Sequence, residues 1–141
     1  MPFSDEDELA IVDRSQRLYG YIECTDVIGD LLSFTIILAD NDDNSVRTKL
    51  GRIGPDTGPC PGYIIPSNKV YKGAIYADKY RVYGVRLISV VAVTDIGSLR
   101  GTPILFEFSP NNLPVGFYGT YNVAGITSLG FLTYDPDCVN T

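Results

Sequence analysis

The residues best able to do chemistry in this chain are oxygen-bearing side chains gathered in three short stretches, two of them with glycine. The first is Thr25-Asp26-Val27-Ile28-Gly29-Asp30; the second is Asp78-Lys79-Tyr80, with Tyr83 just beyond; the third is Gly119-Thr120-Tyr121-Asn122. Carboxylates, amides and hydroxyls offer several hydrogen bonds at once, tyrosine adds a flat apolar plate, and glycine lets backbone amides approach a ligand closely. That mixture suits recognition of a small polar ligand in shallow loops. It does not suit proton transfer. The chain has 17 acidic residues but no histidine, so the commonest general base is missing. Cys24, Cys60 and Cys138 therefore lack a histidine to activate them as nucleophiles. The same loop compositions also arise in ordinary solvated turns, which favour Asp, Asn, Thr and Gly for conformational reasons.

Other chemical motifs fail in identifiable ways. Glu23 and Glu107 fall inside predicted strands, with no neighbouring signature of a paired acid and base. No glycine motif follows a strand and opens a helix, as nucleotide-binding loops require. Asp40-Asn41-Asp42-Asp43-Asn44-Ser45 imitates the first half of a calcium loop, with oxygen ligands at alternate positions. Ser45 then stands where the sharp-turn glycine belongs, and Gly51 where a bidentate Glu should close the shell, so a polar turn is expected. The cysteines are odd in number and lack CxxC spacing, which points to buried reduced thiols and no metal site. A non-catalytic protein without metal or cofactor is the expectation.

The elements that must position these loops are strands. YGYIECT, LLSFTIILA, KGAIYA, VRLISVVAV, TPILFEF, VGFYGTY and ITSLGFLTY are β-branched or aromatic runs bounded by Gly, Pro, Asn and Asp. The one helix candidate, Asp5 to Gln16, mixes acids with Leu9, Ile11 and Val12 and fits a strand equally well. Tyr19, Tyr21, Tyr76 and Tyr118 fall within strands and read as sheet packing, whereas Tyr80, Tyr83 and Tyr121 lie near loops and are candidate stacking residues.

These runs repeat. Leu18 to Asp40, Val70 to Asp95 and Leu113 to Asp135 share a layout: a glycine-containing aromatic strand, a polar loop, then an apolar strand ending in Asp. With their connecting pieces the units cover about 18–66, 70–108 and 113–135 of one 141-residue domain. The third lacks a partner strand, which is expected from the N-terminal Leu9 to Asp13, closing the sheet edges. An all-β, pseudo-three-fold architecture follows, either a β-prism or a β-trefoil.

The segment from Arg100 to Asp135 resembles the C-terminal part of jacalin-related lectins. The resemblance lies in Gly101-Thr102-Pro103, Gly116-Phe117-Tyr118-Gly119 and Ile126-Thr127-Ser128-Leu129. It implies a β-prism that binds mannose- or galactose-type sugars in loops at one end. Family members that bind through the last hairpin carry an Asp in a Gly-x-x-x-Asp loop before the final strand, where alignment puts Thr127 in this chain. Asp30 of the first loop is then the better-placed carboxylate. A β-trefoil lectin is the alternative fold, without the Gln-x-Trp signature common there, because the chain has no tryptophan.

The carbohydrate-binding residues expected on this reading are Thr25, Asp26, Gly29, Asp30, Asp78, Tyr80, Gly119, Thr120, Tyr121 and Asn122. Glycans or glycoproteins are the expected partners. The alternative is a non-catalytic lectin-like interaction subunit that binds a protein partner or forms a homo-oligomer. An excess of 17 acidic over 11 basic residues argues against nucleic acid. No apolar run approaches the roughly 20 residues of a membrane span, so no membrane insertion is expected. The acidic N-terminus does not read as a signal peptide, and no Asn-x-Ser/Thr sequon occurs, so the expected location is cytoplasmic or leaderless secreted.

Overall fold

The computed structural model describes residues 1–9, 16–40 and 46–133. In chain order its elements are β1 (Pro2–Ser4), the single-turn helix α1 (Glu6–Leu9), β2 (Arg17–Thr25), β3 (Leu31–Ala39), β4 (Arg47–Lys49) and β5 (Gly62–Ile64). Next come β6 (Lys72–Ala77), β7 (Val82–Ile88), β8 (Val93–Gly97), β9 (Thr102–Glu107), β10 (Pro114–Asn122) and β11 (Gly125–Thr133). The strands form three antiparallel sheets, ordered β1-β10-β11, β4-β3-β2-β5 and β8-β7-β6-β9. Each sheet is built on one hairpin: β10–β11, β2–β3 or β6–β7. Three separate sheets make a prism, not the barrel a β-trefoil requires.

The strand that completes the third unit is Pro2–Ser4, paired with Ser4 opposite Tyr118 and Pro2 opposite Thr120. Leu9 instead ends α1, and residues 10–15 lie outside the described residues. The calcium-like run at 41–45 and Cys138 lie outside them as well. The expectation of reduced thiols is corrected for the other two cysteines. Cys24 and Cys60 form a disulfide, with Cα atoms 5.5 Å apart. Their separation of 36 positions concealed a pairing that the sheet creates, because β5 lies beside β2 and brings the residues before Gly62 to the end of β2.

Alternation along the strands sends one set of side chains into a shared core. Phe34 and Ile36 come from β3, Val85 from β7, Ile96 from β8, Phe117 from β10 and Ile126 from β11, each 1 % exposed or less. Phe34 meets Phe117 edge-on, ring centroids 5.0 Å apart, so the first and third units are joined at the centre. Complete burial of such side chains stabilises by roughly 1.5–3 kcal/mol each.

The three hairpins share a detail finer than their layout. Each carries a register shift one residue before its tip, after which Thr25 pairs with Leu31, Ala77 with Val82 and Tyr121 with Ile126. The residues skipped on the second strands are Leu32, Tyr83 and Thr127. A bulge at that point increases local twist and re-aims the tip. All three tips are therefore bent by the same device.

Candidate functional site

The first residue past each bulged pair is Asp26, Asp78 or Asn122. Each uses its side-chain Oδ1 to accept a backbone N–H two residues on, from Ile28 at 3.0 Å, Tyr80 at 2.7 Å and Ala124 at 2.8 Å. These are Asx-turns, which let a short polar side chain stand in for a backbone acceptor. Three residues expected to bind ligand thus share a structural task. What remains of each side chain differs between the hairpins.

In the first hairpin both carboxylates are engaged internally. Asp26 Oδ1 also accepts from the Asp30 amide at 3.0 Å, and its Oδ2 lies 3.7 Å from the Arg81 guanidinium. Asp30 is 3 % exposed and turned inward, accepting from Ser98 Oγ at 2.6 Å and Arg100 Nε at 3.1 Å. Burial alone would raise its pKa, but the bonds from Ser98 and Arg100 and the charges of Arg100 and Arg81 outweigh it and hold Asp30 below the usual carboxylate range. Gly29 takes a φ of 91° with open space around it, and Thr25 is exposed at the end of β2. The tip presents Val27 at 104 % exposure and Ile28 at 61 %, both apolar.

In the second hairpin Asp78 Oδ2 accepts from Tyr83 OH at 2.5 Å. That bond is the main reason Asp78 is shifted down and Tyr83 up. Tyr80 is 70 % exposed, with Lys79 Nζ 5.0 Å from its ring centroid. Arg81 ends this tip by donating to the Leu31 carbonyl at 2.7 Å, and a Cβ on Gly125 would lie 3.5 Å from its guanidinium. One arginine of the second tip therefore bonds to the first hairpin and lies beside the third. Among the described residues its buried Nε has no partner.

The third hairpin is the open one. Gly119 sits where a Cβ would come within 2.1 Å of the Ser128 carbonyl, so only glycine allows β10 and β11 this close. Thr120 Oγ1 is held by Ser128 Oγ at 2.6 Å and Thr127 Oγ1 at 2.7 Å. Thr127 is the bulged residue inside β11, not a loop residue. The position four past Gly119 is Val123, 95 % exposed at the tip. The tip faces a surface cavity of about 710 Å³, lined by Tyr121, Asn122 and Val123 on one side and by Arg52, Pro55 and Asp56 on the other, with Met1 beside them. Asp56 Oδ1 is held by Arg52 at 2.7 Å and the Gly58 amide at 3.1 Å, and its side chain is 90 % exposed. The bond from the Ala124 amide engages Asn122 Oδ1, and among the described residues no bond uses its Nδ2.

The expected residues therefore gather at one end but not in one site. Tyr121 and Asn122 line the large cavity while Gly119 and Thr120 precede them in β10, Thr25 lines a second and smaller one, and Asp26, Gly29 and Asp30 build the first tip. Asp78 and Tyr80 stand on the second tip. Arg52 and Asp56 were missed, because a stretch rich in Gly and Pro reads only as a turn. Among the described residues, no three His, Cys, Asp or Glu side chains gather to hold a metal.

No family model matches the chain, and no curated protein is significantly similar in sequence. Solved structures are similar in fold. A prostate-specific WGA16 glycoprotein lectin superposes with a TM-score of 0.68 at 16% identity, over 96% of this chain and 90% of that one. Malaysian banana lectin gives 0.63 at 10% identity, over 95% and 89%. Jacalin in complex with melibiose gives 0.62 at 15% identity, over 94% and 97%. With its three sheets and bulged hairpins, the chain has the β-prism fold of the jacalin-related lectins.

Proposed function

We propose that this protein is a non-catalytic lectin that binds a neutral monosaccharide or glycan end in the cavity beside the third hairpin. The observation that carries this reading is the pairing of Tyr121 and Asn122 with Asp56 across one opening of about 710 Å³. A sugar presents hydroxyls that both donate and accept, and one weakly apolar face of C–H groups. Asp56 Oδ2 supplies an acceptor, the Asn122 amide a donor, and Tyr121 an aromatic surface. Asp56 replaces the carboxylate that Val123 cannot offer. The size lies within the range of small-molecule sites, and a shallow polar contact gives about millimolar affinity per site. The melibiose, Gal-α(1-6)-Glc, held by the similarly folded jacalin supports the galactose-type alternative.

The disulfide favours an oxidising location, hence a secreted protein over a cytoplasmic one. A second reading, the interaction subunit, draws on β9, an edge strand with Ile104 54 % and Leu105 76 % exposed on its two faces.

The test is a glycan array on the purified protein, with free mannose and galactose as competitors and Asp56→Ala alongside. Selective, competable binding that falls about tenfold in Asp56→Ala is expected, the loss of one charge-assisted hydrogen bond. A blank array from protein shown to be folded by circular dichroism overturns the lectin reading, and dimerisation by sedimentation then favours the interaction subunit.

A further inference from the structure

The end of the prism remote from the large cavity differs in composition from the rest of the chain. β10 runs nine residues from Pro114 to Asn122, about 25–30 Å, so what precedes it lies far from that cavity. Lys72 pairs with Ile88 and Glu107, and Ile88 with Val93, which brings 66–72, 88–94 and 109–114 to this end. One opening of about 370 Å³ is lined from all three stretches, by Lys69 and Tyr71, by Val90, and by Pro110 and Leu113. None of the three contains Asp or Glu, in a chain with 17 acidic residues, yet they hold Lys69 and Lys72. Among the described residues neither lysine has a carboxylate partner, although Glu107 stands opposite Lys72 in the register. Lys72 Nζ lies 5.7 Å from the centroid of the Tyr71 ring.

The β7–β8 turn at this end runs against ordinary turn chemistry. Ser89 closes it, its N–H donating to the Ala92 carbonyl at 2.9 Å and its Oγ accepting the Ala92 amide at 3.1 Å. The two residues between are valines, apolar and β-branched where Gly, Asn or Asp are favoured. Val90 is 86 % exposed and Val91 77 %, so packing within the described fold does not account for them.

We infer that this end docks on an anionic phospholipid membrane, with Val90 and Val91 dipping below the headgroups, Tyr71 at their level, and Lys69 and Lys72 among the phosphates. The amphipathic ring of tyrosine and the long apolar stem of lysine suit that depth. A stable protein interface needs roughly 800 Å² of complementary surface per partner, which a projecting two-residue turn does not offer. Fluid lipid closes around such a turn without matching its shape. A contact of this kind lies in the membrane interface and needs no membrane span. It would hold the third hairpin's cavity away from the bilayer, whatever that cavity binds.

The experiment is co-sedimentation of the full chain with phosphatidylcholine vesicles, with and without phosphatidylserine and free of glycolipid. Binding to the phosphatidylserine vesicles is expected, and Lys69→Ala and Lys72→Ala should each weaken it about fivefold, the share of one lysine near an anionic surface. Val90→Asp with Val91→Asp should abolish it with thermal unfolding nearly unchanged, since both side chains are exposed. The chain has no tryptophan, so Val91→Trp provides a single reporter. Its emission should shift to the blue on vesicles and be quenched by brominated lipid, whereas Val27→Trp, at the first hairpin tip, should show neither. No vesicle binding, binding unchanged by the valine pair, or quenching of Val27→Trp in place of Val91→Trp would overturn the membrane surface. So would self-association that the valine pair abolishes, in the absence of vesicle binding, which would give this end to a second copy. A blank glycan array with retained vesicle binding would overturn the lectin reading alone.

Discussion

In the first hairpin Asp26 caps the turn, its second oxygen faces Arg81 at 3.7 Å, and Asp30 turns inward to Ser98 and Arg100. In the third, Asn122 caps the equivalent turn and nothing charged follows it, yet this tip borders the cavity of about 710 Å³. The hairpin richer in carboxylates uses them as internal braces, and the one poorer in them is left open. A loop with the composition of a sugar site is thus not the same as a sugar site. What matters is whether its polar atoms are already satisfied by the protein, because an acceptor with two internal donors has little left to give a ligand.

The largest expected effect comes from the link between these regions. The disulfide joins the tip end of the first hairpin to the loop that walls the third hairpin's cavity, and it closes a loop of 36 positions. Cys24→Ala with Cys60→Ala should lower stability by about 3–4 kcal/mol, chiefly by freeing the unfolded chain. For a domain of this size that is a fall of about 10 °C in Tm. Thermal unfolding of the double variant, compared with wild type, checks this. A fall under about 2 °C would mean that the sheets hold the loop without the bridge.

A smaller loss is expected at Asp30. Asp30→Ala removes an acceptor of two bonds and leaves Ser98 and Arg100 unpaired, which should lower stability by about 2 kcal/mol. Sugar binding at the third hairpin should persist, since Asp30 does not line that cavity. The native pKa of Asp30 lies below its ordinary value, so its contribution is complete above the ordinary carboxylate range near pH 4 and is lost as pH falls through the lower native value. Urea unfolding midpoints between pH 2 and pH 6 should fall less steeply in Asp30→Asn than in wild type. Equal slopes would show that the acid dependence lies elsewhere, and unchanged stability in Asp30→Ala would return this carboxylate to the list of ligand contacts.

The architecture was legible because it depends on patterns that sequence displays directly. The runs around Phe34, Val85 and Phe117 are β-branched and aromatic and bounded by turn formers, and their three-fold layout carries through to three sheets. The tips were legible in composition, since Asp26, Asp78 and Asn122 occupy equivalent positions, but the same side chains serve turn capping and ligand contact equally well. Whether Asp30 faces outward depends on Ser98 and Arg100, 68 and 70 positions away, and no local signal reports that. Arg52 and Asp56 were invisible for a related reason. Their role comes from a loop carried across to the third hairpin, and a run of Gly and Pro encodes a turn without encoding what the turn faces.

The smallest expected effect on stability is the most direct test of what separates the hairpins. Val123 is 95 % exposed at the third tip, so Val123→Asp should change stability by less than about 0.5 kcal/mol. It restores the Gly-x-x-x-Asp pattern counted from Gly119, beside the amide of Asn122. If Asp56 already serves as the cavity's carboxylate, the new Asp should add little to sugar affinity in the wild type. In an Asp56→Ala background it should recover most of the lost affinity, because the acceptor returns to the same opening from the other wall. Titration of the single and double variants with methyl α-galactoside and methyl α-mannoside measures the coupling between the two positions. Strong coupling makes the two carboxylates alternatives for one ligand contact. Independent effects would instead mean that Asp56 acts by holding Arg52, through the 2.7 Å bond between them, and that the third hairpin recognises its ligand without a carboxylate.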